Sequence, residues 1–254
     1  MRLAICSSKG GVGKSTTAAN LAAVLGQRGR VLAVDADPQE SLGRAFGVVA
    51  GSDDSLAAVL AESAPAQAVL RRDVADGVDL LPSHPSLDAV GQRLAQQGGL
   101  VTSLRRALRP VREAYDVVVI DTHGDLGNLT LAAVAAADAV LAVFTSDPGS
   151  ALGVVRVASF VETHRRFENT TARFLGAACV NWDRHSAAAR EVSAALAGTD
   201  LPLFATQVPT SRRVASSTLA QVPVVLRAPS SPVAAGFTAL TDEIVTAYGM
   251  EMAA

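Results

Sequence analysis

Short apolar runs recur along the chain and are separated by longer alanine-rich or amphipathic stretches. Continuous apolar runs of this length are typical of strands that are buried on both faces of a parallel sheet. Alternation of such strands with helices favours right-handed crossovers, so we predict an α/β fold with a doubly wound, mostly parallel sheet flanked by helices. Six runs predict strands: Leu3 to Cys6, Val31 to Val34, Val78 to Leu81, Val117 to Ile120, Ala139 to Phe144 and Phe174 to Val180.

Helical patterns lie between most of these strands. Thr17 to Leu25 follows the first strand, and Val233 to Ala247 is the last helix, after a loop rich in proline and serine. The region 51–108 has weaker strand signals and is richer in Ala, Gln and Ser, so we predict that it is a helical elaboration. A length of 254 residues suits one α/β domain, and we expect residues 1–254 to form it. The helices predicted within 51–108 are Ser55 to Ala61, Leu87 to Gln96 and Val101 to Leu108.

Composition narrows the possible functions. A formal net charge of −2 argues against a globally basic nucleic-acid binder, so any contact with DNA must come from a local patch. Only 4% of the residues are aromatic, which gives no indication of a platform for stacking bases. Cys6 and Cys179 lie in separate predicted strands without paired spacing, so we expect reduced core thiols in a cytoplasmic protein.

The N-terminus and the tail both predict a protein that does not act at a membrane. Met1-Arg2 leads directly into the first strand, and no window has the length of uninterrupted apolar sequence that a membrane span needs. The tail segment 242–252 carries acidic charge and no basic residue, unlike an amphipathic helix that seeks a membrane surface. We therefore expect an intracellular protein.

Both lysines of the chain lie in one six-residue stretch, Lys9-Gly10-Gly11-Val12-Gly13-Lys14, while every other basic side chain is arginine. A compact ammonium on a flexible stem fits beside a phosphate in a tight loop, where a broad guanidinium does not. The stretch follows an apolar strand and precedes a helix, which is the context that a phosphate-binding loop requires. The sequence therefore predicts a nucleotide site that uses both ammonium groups.

The residue types within the loop predict how it binds phosphate. Glycines allow the backbone N–H groups of Gly10, Gly11, Val12, Gly13, Lys14 and Ser15 to point at phosphate oxygens, and the following helix presents its positive end. We expect Lys14 to neutralise the β- and γ-phosphates, the Ser15 hydroxyl to bind Mg²⁺, and Thr16 to contact a phosphate oxygen.

Acidic residues follow two of the predicted strands. Asp35 and Asp37 come after Val31 to Val34, and Asp121 comes after Val117 to Ile120. An aspartate at a strand end is often only a loop cap. Carboxylates that meet at the carboxyl edge of a parallel sheet, next to a phosphate loop, can instead hold Mg²⁺ or its waters, and this combination favours a metal.

These motifs together resemble a known family, the deviant Walker ATPases of the ParA type. The likeness covers Met1 to about Ala247 and includes a lysine in place of the first loop glycine. The loop is specific to the broader P-loop NTPase superfamily of the deviant Walker type, whereas the later segments are individually weak signals. The segments that carry the likeness are 9–16, Val34-Asp35-Ala36-Asp37-Pro38-Gln39, Ile120-Asp121-Thr122, 129–138, Val180-Asn181-Trp182-Asp183-Arg184, Val208-Pro209-Thr210-Ser211-Arg212-Arg213 and Val222-Pro223-Val224.

The resemblance implies an ATP-driven switch in which two subunits close face to face around two ATP molecules. It implies that Lys9 reaches the partner's phosphates and that Asp37 positions the attacking water. It also implies that Asp35 and Asp121 hold magnesium through water, and that Asn181 and Pro209 contact adenine. ATP hydrolysis of this kind proceeds by positioning and charge neutralisation, and we expect it to be slow until a partner stimulates it.

The chain departs from the family at one place. Partition ATPases commonly have two prolines and a serine after the strand-end aspartate, whereas this chain has His123-Gly124-Asp125. We expect a more flexible loop at the γ-phosphate, with a titratable group in it. The departure bears on the hydrolysis rate and on the partner, not on the nucleotide.

Arginines are the candidates for DNA contacts. Related ATPases coat the nucleoid without sequence preference, which needs only phosphate contacts, and a dimer doubles a shallow patch. We therefore expect sequence-independent DNA binding, a nucleoid-associated location, and a ParB-like or cargo-adaptor protein that stimulates the ATPase. The candidate residues are Arg184, Arg190, Arg212, Arg213 and Arg227.

Two other functions remain open. A metabolic ATP-dependent enzyme of the same superfamily, such as an amidotransferase or carboxylase, needs an additional substrate pocket, which the region 51–108 could supply. A membrane-cycling ATPase that positions the division site needs a basic amphipathic tail, and the tail described above is acidic. The favoured reading is an ATPase that partitions or positions DNA or a large cargo.

Overall fold

The computed structural model describes residues 1–147, 149–183 and 186–250, and within them it places eight strands in one sheet. The strands alternate with helices along the chain, as the apolar runs predict. Their bounds are β1 Arg2–Cys6, β2 Val31–Ala36, β3 Arg71–Ala75, β4 Val78–Leu81, β5 Val117–Thr122, β6 Ala139–Phe144, β7 Arg173–Trp182 and β8 Leu203–Pro209.

Helices cover both faces of this sheet. The two longest helices lie between β6 and β7 and at the end of the described chain. The bounds are α1 Lys14–Gly26, α2 Ser41–Ala45, α3 Leu56–Leu60, α4 Ala66–Val69, α5 Leu87–Gln96, α6 Leu100–Leu108, α7 Asn128–Ala136, α8 Ser150–Arg166, α9 Ala187–Ala197, α10 Arg212–Leu219, α11 Val224–Arg227 and α12 Pro232–Tyr248.

The order of strands across the sheet is β3-β4-β2-β5-β1-β6-β7-β8. Each pairing is parallel except that of β3 with β4. The chain leaves β1 in one direction to build β2, β4 and β5, and later returns to the other side of β1 to build β6, β7 and β8. Such a reversal opens a crevice at the carboxyl ends of the strands, where ligands of doubly wound folds bind. We call this side of the molecule the carboxyl edge.

Alternate residues of the central strands pack on opposite faces of the sheet. Leu3 and Ile5 of β1 contribute to an apolar layer with α1 and α12, whereas Ala4 and Cys6 contribute to the layer with α7 and α8. Each of these four side chains is completely buried. Because both faces are covered, these strands are apolar at every position, which explains why they appear in the sequence as continuous runs.

The structure extends several predicted strands and adds two. Strands β2 and β5 continue past their apolar runs and include Asp35 and Asp121, which we expected to follow the strands. Strands β3 and β8 were not predicted, because both lie at the margins of the sheet and consist largely of partly exposed or exposed residues. The region 51–108 therefore contains the β3–β4 hairpin in addition to its helices.

Both cysteines lie in the core of the sheet. Cys6 and Cys179 are free, buried thiols in β1 and β7, and burial raises the pKa of each to about 12. They are therefore packed as small apolar side chains and are not activated thiolates.

Among residues 1–147, 149–183 and 186–250, no helix has both the length and the apolar content that crossing a bilayer requires.

The close approach of α1 to the β3–β4 turn predicts a stability effect. A Cβ at Gly26, the last residue of α1, would overlap the Asp76 carbonyl oxygen and lie 2.6 Å from Val78 Cγ2. We expect Gly26→Ala to lower the free energy of unfolding by roughly 1–3 kcal/mol in urea denaturation. Gly198→Ala is the control, because its added Cβ would make only ordinary contacts, the nearest at 3.6 Å. Equal stability of the two variants would contradict this packing.

Candidate nucleotide-binding site

A glycine-rich loop joins β1 to α1 at the carboxyl edge of the sheet. Gly11 and Gly13 have φ angles of 75° and 94°, in the left-handed region where a side chain is strained. The Ser7 hydroxyl donates to the Lys9 carbonyl oxygen at 2.6 Å, which folds the start of the loop back on itself. The Gly13 carbonyl accepts from both the backbone N–H and the hydroxyl of Thr17, each at 2.8 Å, and so begins α1.

Lys14 is the buried cation of this loop. Its residue is only 5% exposed, and its Nζ donates to the Ser7 hydroxyl at 3.1 Å. In the part of the chain that the structure describes, Lys14 makes no ion pair with a carboxylate. A buried ammonium without a counter-ion is unfavourable unless an anion binds, so the loop is prepared for a phosphate.

Lys9 lies in a different environment. Its side chain is 47% exposed, and its Nζ is 3.8 Å from Asp147 Oδ2, which is a long ion pair. Asp147 in turn accepts from the Thr145 hydroxyl at 2.7 Å and is itself largely exposed. A long, solvated ion pair of this kind contributes little free energy, so the Lys9 ammonium is available for a stronger anion.

Asp35 and Asp121 are direct neighbours across the β2–β5 pairing, and both are completely buried. The Asp35 carboxylate accepts from the backbone N–H groups of Gly43 at 2.9 Å and Asp37 at 3.2 Å. Burial and the adjacent Asp121 raise the pKa of Asp35 well above its ordinary value, since two carboxylates side by side in the interior cannot both be charged at low cost. Asp37 is also buried and accepts from Gln39 N at 2.9 Å.

Asp121 shows where a cation fits. Both of its carboxylate oxygens are buried and make no hydrogen bond of full geometry with the described residues, although the Ser15 hydroxyl is close enough to favour the charged form. Burial raises the pKa of Asp121 to about 7, against the opposing influence of Ser15 and Lys14. Unsatisfied buried oxygens beside a hydroxyl match the oxygen ligands that Mg²⁺ prefers.

The protein alone does not complete a metal shell. Within residues 1–147, 149–183 and 186–250, no group of three or more His, Cys, Asp or Glu side chains has an arrangement that could hold a metal. Mg²⁺ commonly takes one or two protein ligands and completes its shell with phosphate oxygens and water. Ser15, Asp35 and Asp121 fit that description and do not fit a metal bound without nucleotide.

Two cavities adjoin the loop. The first, the base pocket, has a volume of about 320 Å³ and is lined by Gly11, Thr16, Val180, Asn181 and Pro209 among others. The second, the phosphate cavity, has a volume of about 450 Å³. It brings together Gly10, Lys14, Ser15, Asp37 and Thr218. The residues expected at the base and those expected at the phosphates therefore line two neighbouring cavities, which share Gly11, Gly13 and Thr16.

Asn181, which lines the base pocket, has an unusual backbone conformation. It lies near the end of β7 with a φ of 53°, a left-handed conformation that Asn tolerates better than most residues. Pro209, the last residue of β8, pairs with Trp182 in the neighbouring strand and so lies close to Asn181. The unpredicted strand β8 thus positions one side of the base pocket.

Helix α10 contributes to both cavities, a role that the sequence did not predict. Ser211, its N-cap, and Val214 line the base pocket, while Thr218 lines the phosphate cavity. The Ser211 hydroxyl accepts from Arg213 N at 3.2 Å, which begins the helix. The only available signal was the position of this segment directly after Pro209. Gln39 and Arg44 of the α2 region also line the phosphate cavity.

The His123-Gly124-Asp125 loop packs directly against the glycine-rich loop. A Cβ at Gly124 would lie 2.9 Å from the Gly10 Cα, so only glycine fits there. His123 Nδ1 is 3.2 Å from Asp125 Oδ1, and Gly127 N donates to the same oxygen at 2.9 Å. Burial acts to raise the pKa of Asp125, but the hydrogen bonds from Gly127 and His123 outweigh it, and the pKa is lowered. These contacts join residues of the loop to one another, and the flexibility that we expected stays a prediction.

The candidate DNA-binding arginines are only partly brought together. Arg212 and Arg213 are exposed at the start of α10, and Arg227 is exposed at the end of α11, which packs against α10. Arg190 is exposed on α9, which packs against α8. None of these four makes an ion pair with a described residue. Arg184 lies outside the described residues.

Comparisons with protein families, with known sequences and with solved structures each find proteins similar to this chain. Residues 1–174 match a protein family described as AAA domain, AAA_31. The chromosome-partitioning ATPase Soj of Thermus thermophilus is 35% identical over 246 residues, which cover 96% of this chain and 95% of Soj. Among solved structures, apo McdA from Cyanothece superposes with a TM-score of 0.86 at 24% identity, over 96% of this chain and 98% of McdA. Cobyrinic acid a,c-diamide synthase from Mycobacterium smegmatis, solved with an ATP analogue and magnesium, gives 0.85 at 28% identity, over 99% of this chain and 97% of that one.

The raised pKa of Asp121 predicts a dependence of stability on pH. Between the ordinary aspartate pKa of about 4 and about 7, the folded chain holds a proton that the unfolded chain has lost, so ligand-free stability falls as the pH rises through this window. We expect Asp121→Asn to stabilise the ligand-free protein by on the order of a few kcal/mol at about pH 8, and by less at about pH 5, in urea denaturation. A gain that is equal at both pH values would contradict the assignment.

Proposed function

Because the chain belongs to the AAA_31 family of AAA domains and to the ParA/MinD superfamily of ATPases, we propose that it is an ATP-dependent dimerising switch that partitions or positions DNA or a large cellular cargo. In this proposal residues 1–254 act as a single ATPase domain. ATP-bound dimers bind DNA without sequence preference, and hydrolysis releases them. The proposed location is cytoplasmic and associated with the nucleoid.

The contrast between the two lysines is the observation that carries the proposal. Lys14 is buried and fixed in its own loop, whereas Lys9 is half exposed, and among the described residues its ammonium makes one ion pair, a 3.8 Å contact with Asp147. An ammonium that is left outside its own site can neutralise a phosphate on a second copy. The triphosphate then joins two protomers, so its presence controls the dimer.

The chemistry of the site follows from its charges. Lys14, the backbone N–H groups from Gly10 to Ser15, and Thr16 bind the phosphates, and Asp37 positions the water that attacks the γ-phosphorus. Ser15, Asp35 and Asp121 would hold Mg²⁺, which when bound supplies charge neutralisation at the β- and γ-phosphate oxygens. Asn181 and Pro209 hold the adenine in the base pocket. Lys9 from the partner completes the positive charge around the developing transition state.

DNA binding is proposed for the exposed arginines around α10. Arg212, Arg213 and Arg227 are free of carboxylate partners within the described part of the chain, so each can contact a DNA phosphate. Arg190 lies on α9 and would extend the contact surface. Two copies of a small patch double the number of phosphate contacts, and affinity rises steeply with that number. Dimerisation therefore acts as the switch for DNA.

A partner is proposed for the release step. The isolated site turns over slowly, and a ParB-like protein or a cargo adaptor accelerates hydrolysis by acting on the dimer. A positioning switch and a partition switch use the same nucleotide site, so the partner protein determines the cargo.

Retention on DNA tests the switch. We expect wild-type protein to be retained on non-specific duplex DNA with Mg·ATP or a non-hydrolysable analogue, and not with ADP. Lys9→Ala should abolish that nucleotide dependence, because the second ammonium is lost. Arg212→Ala/Arg213→Ala should weaken retention and lower the slope of log affinity against log salt by about 1 for each phosphate contact that is lost.

Arg105→Ala/Arg109→Ala is the matched control for the arginine pair. Both residues are exposed on or next to α6, and removing them changes the net charge by the same amount. Retention that is indifferent to the nucleotide would contradict the proposed switch. An equal loss in the two double variants would show that bulk charge, and not the α10 patch, binds DNA.

A second prediction separates hydrolysis from dimerisation. We expect Asp37→Ala to lower the hydrolysis rate by roughly 10²–10⁴-fold, because the attacking water loses its positioning group. The ATP-dependent dimer should persist, since both lysines remain. Phosphate release and light scattering measure the two quantities, with Asp53→Ala, an exposed carboxylate elsewhere, as control. Unchanged hydrolysis in Asp37→Ala would exclude the proposed role.

A metabolic ATP-dependent enzyme is the second candidate, and one observation favours it. A polar cavity of about 450 Å³ adjoins the phosphate cavity and shares Gln39, Arg44 and His123 with it. The Mycobacterium smegmatis structure, named as a diamide synthase, is similar over the whole length. ATP turnover that needs a carboxylic acid together with ammonia or glutamine, and is unaffected by DNA, would support this candidate over the switch.

A further inference from the structure

His123 belongs to the loop in which this chain departs from the family, and it lies at the phosphate cavity. Its side chain lines that cavity together with those of Lys14, Ser15 and Asp37. It also lines the neighbouring polar cavity, so it lies where the two cavities meet. The side chain is 38% exposed, and the imidazole is therefore accessible to a molecule in the site.

The Asp125 carboxylate orients the His123 ring. Nδ1 of His123 lies 3.2 Å from Asp125 Oδ1, which also accepts from Gly127 N at 2.9 Å. Burial acts to raise the pKa of Asp125, but the hydrogen bonds from Gly127 and His123 lower it, so the carboxylate is charged at neutral pH. A carboxylate beside Nδ1 favours the tautomer that carries its hydrogen there, which leaves the Nε2 lone pair as an acceptor.

The backbone of the same loop lies against the glycine-rich loop. A Cβ at Gly124 would lie 2.9 Å from Gly10 Cα and 3.2 Å from Gly10 N. The charge of Lys14 adds to the hydrogen bonds that lower the pKa of Asp125, so the Lys14 ammonium is near the His123–Asp125 pair. Because Lys14 is expected to neutralise the β- and γ-phosphates, the pair lies beside the proposed position of those phosphates.

The attacking water has two hydrogens, and Asp37 has one free oxygen to accept from them. Asp37 Oδ1 accepts from Gln39 N at 2.9 Å, whereas no described residue donates to Oδ2, which is left for the water. A water held by one acceptor still rotates about that hydrogen bond, so its lone pair is not fixed on the γ-phosphorus. A second acceptor for the other hydrogen fixes the direction of attack.

His123 meets the requirement for that second acceptor better than the other polar side chains of the cavity. Gln39 and Ser41 also line the cavity, but neither side chain has a hydrogen bond to a described residue that would orient it. The Thr218 hydroxyl is turned to the Val214 carbonyl of its own helix, at 3.1 Å. The His123 ring, in contrast, is held on one side by a charged carboxylate, and its Nε2 is free of protein partners among the described residues.

We propose that His123 is a catalytic residue of ATP hydrolysis, whose Nε2 accepts one hydrogen of the attacking water while Asp37 Oδ2 accepts the other, an inference that rests on the proposed ATPase function. The water oxygen forms a bond to the γ-phosphorus as the bond to the β,γ-bridging oxygen breaks, and that electron pair leaves with ADP. The hydrogen beside His123 remains on the phosphate product, so the imidazole stays neutral. The other proton passes to Asp37 and then to solvent. Asp125 is a positioning residue, since it acts on the water through the ring.

Single-turnover hydrolysis of γ-labelled ATP by full-length variants tests the assignment. We expect His123→Ala to lower the rate roughly 10- to 100-fold, because the water loses one of its two acceptors. Affinity for a non-hydrolysable ATP analogue should stay within about twofold of wild type, since the contact is to the water and not to the nucleotide. His123→Gln should keep the rate within about fivefold of wild type, because its amide oxygen can accept the same hydrogen.

Two further variants separate the role of the ring from support of the loop. His84→Ala is the matched control and should leave the rate unchanged, because His84 is a half-buried histidine after β4 that contacts Ser86 and does not line the phosphate cavity. Asp125→Ala should lower the rate less than His123→Ala. The double variant His123→Ala/Asp125→Ala should be no slower than His123→Ala alone, since Asp125 acts through the ring.

The outcomes distinguish this inference from the function on which it rests. If wild-type protein does not hydrolyse ATP, both the proposed function and the role of His123 are wrong. If wild type hydrolyses ATP and His123→Ala does so at the same rate, the role of His123 alone is overturned. Equal losses of rate in His123→Ala and His123→Gln, or a loss of analogue affinity as large as the loss of rate, would show that the ring supports the loop or binds the nucleotide, and would also overturn it.

Discussion

A triphosphate on the glycine-rich loop carries several negative charges, and the loop itself supplies one buried ammonium, that of Lys14, to meet them. The second ammonium, that of Lys9, is in solvent beside Asp147. Because charge neutralisation in a partly desolvated site is strongly favourable, this division of the two lysines makes the site incomplete in one chain. The proposed dependence of dimer, DNA binding and hydrolysis on ATP follows from that single arrangement.

The fold brings the remaining groups to the same edge. Asp35 and Asp121 are neighbours because β2 and β5 are paired in parallel, and both strands end at the carboxyl edge beside the loop after β1. Two adjacent buried carboxylates are costly without a cation, and the raised pKa values show that cost. A nucleotide with Mg²⁺ relieves it. The energetic penalty in the empty chain is therefore part of what favours the bound state.

Sequence reasoning succeeded where structure depends on local pattern. The loop 9–16 is recognisable because its glycines and lysines are adjacent in the chain, and the central strands are recognisable because both of their faces are buried. It failed where the role depends on a tertiary neighbour. The partly exposed β8 has no apolar run, and Thr218 enters the phosphate cavity only because α10 folds back across the site. The contacts of the loop at His123 likewise depend on the Asp125 carboxylate, which accepts from Gly127 N and lies 3.2 Å from His123 Nδ1, and composition does not show them.

The most direct test of the central claim is complementation between two inactive variants. Lys9→Ala protein keeps an intact Asp37 but lacks the crossing ammonium, whereas Asp37→Ala protein keeps Lys9 but lacks the water-positioning carboxylate. In a mixed dimer, the site that retains Asp37 receives Lys9 from its partner, so mixing the two proteins with Mg·ATP should restore hydrolysis that neither shows alone. If Lys9 acts within its own chain, every site in the mixture lacks one of the two groups, and a mixture as inactive as its components would contradict the account.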